Sequence, residues 1–212
     1  MMPSVVPQRP NRSGRAGSIS LAGYRWLTRA RDKAFSALSA GAFARYGRRS
    51  VIQLPVRLSG ESRIAVGSDV FVGAGSWLQV LDGDSDEVAI VIGDGTSIAG
   101  SCVLSAKRSI NLGRNVLIAR NVYVADHMHA FSHLGKPVLE QGIDRVGAVE
   151  IGDGAWLGQN VVVGPGLRIG RGAVIGANAV VLDDIPDHAV AVGSPARVVR
   201  TLAPRPADGP AS

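Results

Sequence analysis

From residue 51 onward the apolar positions of this chain recur every six residues. The run IGDGAWLGQNVVVGPGLRIGRGAVIGANAVVLDDIP divides into hexapeptides starting at Ile151, Leu157, Val163, Ile169, Ile175 and Val181. Each opens on an aliphatic residue, usually followed by Gly, and carries a small or aliphatic residue at its fifth place. Runs of the same form start at Val66 and Val72, at Ile92, Ile98 and Leu104, and at Leu112, Ile118 and Val124. A period of six is too short for a stacked helical repeat and is the signature of a parallel β-helix. In such a coil the first and fifth side chains point inward, and the chain turns at the fourth. That fourth place reads Gly75, Gly95, Asn115, Asn121, Gly154, Asn160, Gly166, Gly172 and Asn178. Glycine and asparagine accept positive φ at little cost. A prism with one aliphatic and one small residue per side fills itself, so a site must lie on its outside, on an inserted loop or between subunits.

The pattern differs at the amino end. Residues 20–46 carry Leu21, Tyr24, Leu27, Ala34, Leu38 and Ala42 at three- and four-residue spacing, with Arg25, Arg29 and Lys33 elsewhere around the axis. This predicts a basic amphipathic helix, packed on the body or a neighbouring subunit, or resting on a membrane surface. Residues 1–18 are rich in Pro, Arg, Ser and Gly, a composition that favours disorder. The expected organisation is therefore a disordered basic start (1–18), an amphipathic helical segment (20–49), a β-helix (51–200) and a flexible tail (201–212).

Composition agrees with a coil of small residues: of 212 residues 46% are hydrophobic, only 5% aromatic, and 27 are Gly. The net charge of +6 is unevenly distributed, since residues 1–50 hold ten Arg or Lys against Asp32 alone and the rest of the chain is net acidic. The body is therefore not expected to bind nucleic acid. A single cysteine, Cys102, excludes an intramolecular disulfide and points to a reducing, cytoplasmic compartment. At an inward fifth position it reads as a core residue rather than a nucleophile. No signal-peptide pattern or run of eighteen apolar residues suggests secretion or a membrane span.

Three of the four histidines lie in VADHMHAFSH, residues 124–133. In the hexapeptide frame Val124 and Met128 point inward, His127 takes the turn position, and His129 faces out. Tyr123, Trp77 and Trp156 share that outward sixth place. The repeat then breaks, and residues 130–150 form a loop before it resumes at Ile151. A long excursion from a regular solenoid is uncommon unless it is used. At the root of that loop His129 suits general-base work near neutral pH. His127 has a turn-forming role open to it as well. Asp126 could orient an imidazole or cap the turn. His133 lies on the loop, and His188 has no partner visible in sequence.

The tandem hexapeptides, with NVLIARNVYVADHMH, GAWLG and GSPARVVR, resemble the hexapeptide-repeat acyltransferases, in particular the sugar and polysaccharide O-acetyltransferases. The match covers roughly residues 60–200. The resemblance implies an all-β fold, a left-handed parallel β-helix, assembled as a homotrimer with active sites between subunits and acetyl-CoA as donor. Carried over residue by residue, it places the catalytic histidine on His129 and the tryptophan beside the thioester on Trp156. Coenzyme contacts fall on Gln159, Ala177, Arg197 and Arg200, the arginines suiting phosphates. Galactoside-type enzymes carry asparagine at the position of Ala99, and its absence here removes one acceptor and oxyanion contact. The expected reaction is direct transfer of an acetyl group to a hydroxyl of a sugar or cell-surface glycan, with no metal. Two other readings remain: a carbonic-anhydrase-like metal site built from interfacial histidines, and a non-catalytic β-helical scaffold. The basic helix could hold the enzyme at the inner face of the membrane.

Overall fold

The computed structural model describes residues 14–81 and 85–203. Three parallel sheets form the faces of a prism, and the chain visits them in turn, so that each strand pairs with the strand one coil away. The first face runs from Arg45–Tyr46 to Arg168–Ile169, and the second from Val51–Ile52 to Arg197–Thr201. The third runs from Arg57–Ser59 to Val180–Val181. Register alignment stacks like on like. On the second face Ile52, Val72, Ile98, Ile118, Leu157, Ile175 and Ala191 form one column, every member of it shut off from solvent. On the third, Leu78, Leu104, Val124, Val163 and Val181 do the same. The fifth-place residues Ala155, Val161, Ala173 and Ala179 fill the corners from inside.

The corners turn where expected. All nine fourth-place residues predicted from the sequence have positive φ, from +54° at Asn115 to +80° at Gly75. Asn121, Asn160 and Asn178 also stack outside the corner, each side-chain amide donating to the next (3.2 and 2.9 Å). At another corner the backbone N–H and guanidinium of Arg114 hold the Asp153 carboxyl below the usual carboxylate range. Because the columns are closed, truncating one is expensive. Leu104→Ala is expected to cost about 2–5 kcal/mol of stability, read as a fall in the denaturant midpoint with unchanged slope.

The ends depart from expectation. Helix α1 spans Gly14–Ser39, so it starts inside the stretch predicted to be disordered; residues 1–13 lie outside the described residues. It also ends earlier than predicted, because the first coil begins at Arg45–Tyr46, paired in parallel with Ala65 and Val66. Nor does the coil run on to residue 200. Arg197–Thr201 folds back antiparallel on Ala189–Val192, which caps the open edge of the second face. Most of the predicted tail lies outside the described residues.

Candidate active site

The coil is interrupted at Asp126. This residue is fully buried, and its carboxylate accepts the backbone N–H groups of Lys107 (2.7 Å) and Arg108 (2.6 Å). Its carbonyl accepts the N–H of Gly147 at 2.8 Å. Backbone and side chain together therefore fasten both ends of the excursion to the prism. Asp126 Oδ1 also lies 2.9 Å from Nδ1 of His127, whose side chain is 9% exposed. With the carboxylate oxygen as acceptor, Nδ1 donates and Nε2 is the nitrogen left for another contact.

Two expectations fail here for one reason. His127 does not adopt the positive φ of a turn residue, and Met128 is exposed instead of inward. Asp126 has satisfied the corner with its side chain, so the hexapeptide never closes. The chain instead enters an antiparallel hairpin in which Met128 and His129 pair with Asp144 and Ile143. The loop beyond is braced by Gln141, which bonds the backbone of His133 in both directions and the carbonyl of Lys136.

His129 is exposed on this hairpin and, among the described residues, its imidazole has no protein partner. It and His127 line a cavity of about 320 Å³ on the third face, with Tyr123, Met128, Val162, Pro165 and Leu182 as walls. A hollow of about 410 Å³ shares Met128, Pro165 and Leu182 and extends the groove to Arg145 and Leu167. Among these walls Val162, Pro165 and Leu182 were not singled out from the sequence. Leu182 carries the one legible signal, since it stands at the second hexapeptide place, where glycine is usual.

The remaining histidines stay apart. His133 Nδ1 accepts the N–H of Gly135 (3.2 Å) on the loop, and His188 sits at a corner with φ +59°. Among the described residues no group of three or more His, Cys, Asp or Glu side chains is arranged to hold a metal ion. Cys102 is fully buried and contacts the carbonyls of Gly100 and Ala119 (3.3 and 3.1 Å). Burial pushes its thiol pKa up, which suits a core residue.

The five residues assigned to the coenzyme lie on other sides of the prism. Trp156, 47% exposed, pairs in register with Val174, Val174 with Val190, and Val190 with Arg200. Tryptophan and arginine therefore stand in one outward column of the second face, three strand spacings or about 14 Å apart. Gln159 and Ala177 are exposed on successive coils at the corner between the second and third faces. The Gln159 carbonyl accepts the N–H of Asn178 there. Arg197 is engaged with Asp183 (2.9 Å). Within one chain, then, the His127–His129 groove lies on the third face and the Trp156–Arg200 column on the second. Ala99 is exposed on the second-face side of the coil.

Comparison with known proteins fits this architecture. Residues 148–183 match the family model of the bacterial transferase hexapeptide (six repeats). A putative acetyltransferase of Staphylococcus aureus is 39% identical over 62 residues, 29% of this chain and 31% of that protein. The galactoside O-acetyltransferase of Escherichia coli is 37% identical over 54 residues, 26% of this chain and 27% of its own. The matched segment thus spans less than a third of these curated relatives. Among solved structures, galactoside acetyltransferase in complex with coenzyme A has 31% identity and a TM-score of 0.56, over 66% of this chain and 64% of that one. A hexapeptide-repeat acetyltransferase of Vibrio cholerae in complex with acetyl coenzyme A has 26% identity and a TM-score of 0.58, over 79% and 75%. Residues 148–183 accordingly match the bacterial transferase hexapeptide repeats, and the chain is similar in sequence and fold to hexapeptide-repeat acetyltransferases.

Proposed function

We propose that this protein is an acetyl-CoA-dependent O-acetyltransferase acting on a hydroxyl of a sugar or cell-surface glycan, in the cytoplasm. The observation that carries the reading is the separation just described. One face of the prism presents an exposed, unpartnered imidazole over an apolar-walled groove; another presents an aromatic ring and a guanidinium in one column. The two halves complement each other when copies of a left-handed β-helix stand side by side as a homotrimer. The histidine groove of one subunit then faces the Trp156–Arg200 column of the next. Likeness to a galactoside O-acetyltransferase supports the donor and the class of acceptor.

In this reading Arg200 and Arg197 hold phosphates of the coenzyme, Arg197 exchanging its exposed pairing with Asp183, and Trp156 packs along the arm that carries the thioester. Gln159 and Ala177 meet the same arm at the corner. His129 removes the proton from the acceptor hydroxyl as its oxygen forms a bond to the acetyl carbonyl carbon. The tetrahedral intermediate collapses by breaking the carbon–sulfur bond, and the imidazolium returns its proton to the departing thiolate. His127 and Asp126 act through the hairpin rather than on substrate. They fix the root from which the strand of His129 departs.

Thermal unfolding with acetyl-CoA tests the donor without requiring the acceptor. A ligand at 100 times its dissociation constant stabilises the folded state by about 2.7 kcal/mol, a shift readily measured. The shift is expected to shrink with dephospho-CoA and in Arg200→Ala. Absence of any shift at millimolar acetyl-CoA removes the donor, and with it the proposed reaction.

A further inference from the structure

Helix α1 is mounted with its apolar side outward. At 3.6 residues per turn, Ile19, Trp26, Leu27, Ala30, Ala34 and Leu38 fall within about 120° of one another. A helix on a globular body normally turns such a stripe to the core. Here the residues that dock are largely polar. Asp32 and Ser36 are 3% and 2% exposed, Ser36 Oγ accepts the N–H of Ile52 (2.9 Å) and Asp32 accepts that of Leu54 (3.3 Å). They lie nearly opposite the stripe on the helix, with Phe35 beside them as the apolar contact. Meanwhile Ile19 is 72% exposed, Trp26 67%, Leu27 61% and Leu38 88%. Residues 17–30 are exposed on every side except at Thr28, so this half of the helix overhangs the prism.

Charge identifies the occupant. Arg31 is bound to Asp32 and to the Leu54 carbonyl, which neutralises the helix's single acid. Arg25, Arg29 and Lys33 make no ion pair among the described residues; Lys33 borders the stripe, Arg29 stands further round the axis and Arg25 nearly opposite. Arg9 and Arg12 precede the helix in sequence, and Arg15 stands in its first turn. A second copy packed along this face would bring together two helices of the same uncompensated positive charge, whereas an anionic surface neutralises it. Indole and phenol rings at 26 and 24 suit a water–lipid boundary, where one edge is apolar and the other wet. We infer that α1 lies flat on an anionic lipid bilayer, apolar stripe buried in the headgroup region, and so holds the β-helix at the membrane surface. The inference does not depend on acetyl transfer.

The test is co-sedimentation of the full-length protein with vesicles of phosphatidylcholine alone or mixed with phosphatidylglycerol. Binding is expected to the mixed vesicles only, to weaken with salt, and to drop at least about tenfold in Leu27→Glu. Arg29→Gln with Lys33→Gln is expected to weaken it as well. Both variants change exposed side chains, and an unchanged unfolding midpoint confirms that the fold is intact. Wild-type protein left in the supernatant with both vesicles overturns the inference, as does binding that Leu27→Glu leaves intact. A fall in solution mass on Leu27→Glu without vesicle binding overturns it in favour of an interface between copies.

Discussion

Alanine in place of His129 lowers the rate of acetyl transfer by about 10²–10⁴-fold, the span supplied by a positioned general base. The loss falls in kcat, because the imidazole contacts the acceptor hydroxyl and not the coenzyme, and the acetyl-CoA-dependent thermal shift stays at its wild-type size. His129 is exposed on the hairpin, so its removal leaves the fold alone. His127→Ala separates the two imidazoles. It leaves Asp126 buried with one partner fewer and is expected to reduce kcat less than His129→Ala while lowering the unfolding midpoint. A larger kcat loss in His127→Ala than in His129→Ala transfers the base to His127, which also lines the cavity.

Replacing Asp126 by alanine has the largest expected effect on the fold outside the aliphatic columns. It strips the N–H groups of Lys107 and Arg108 and the His127 ring of their shared acceptor. A hydrogen bond of this kind contributes about 0.5–1.5 kcal/mol, so losing both part-buried backbone partners is expected to cost about 1–3 kcal/mol by denaturant titration. The consequence for activity follows from position, since the loop root that carries His129 is no longer pinned. Asp126→Asn keeps the volume and one acceptor oxygen, and is expected to recover most of the stability. Its amide cannot take all three hydrogen bonds, however, so kcat should remain well below wild type with the acetyl-CoA shift preserved. Recovery of full activity together with stability would reduce Asp126 to a corner residue.

The coil was legible because three constraints repeat at the same spacing: the aliphatic at place one, the small residue at place five, and Gly or Asn at place four. Each repeat is an independent vote, and the corner residues took positive φ as the frame required. The frame failed where a single side chain outweighed it. At 124–129 the hexapeptide text continues through Met128, but the Asp126 carboxylate satisfies the corner amides of the preceding coil and releases the chain. Nothing in the period carries that information, because the partners, Lys107 and Arg108, are about twenty residues away. The helix shows a similar limit. Its periodicity identified an amphipathic element, but which side docks depended on Ser36 and Asp32 finding unpaired backbone N–H groups at Ile52 and Leu54. The sequence named candidate residues but not their places: His127 and His129 and the Trp156–Arg200 column come to different faces, which linear spacing cannot express.

The most direct test of the whole account is release of free CoA thiol from acetyl-CoA by purified protein against a panel of saccharide acceptors, with the product analysed for an alkali-labile acetyl ester. The account predicts acceptor-dependent thiol release, one ester per thiol, and its near-complete loss in His129→Ala despite an unchanged acetyl-CoA shift. Acetyl transfer that persists in His129→Ala, or an acetyl group found on an amine instead of a hydroxyl, would contradict it.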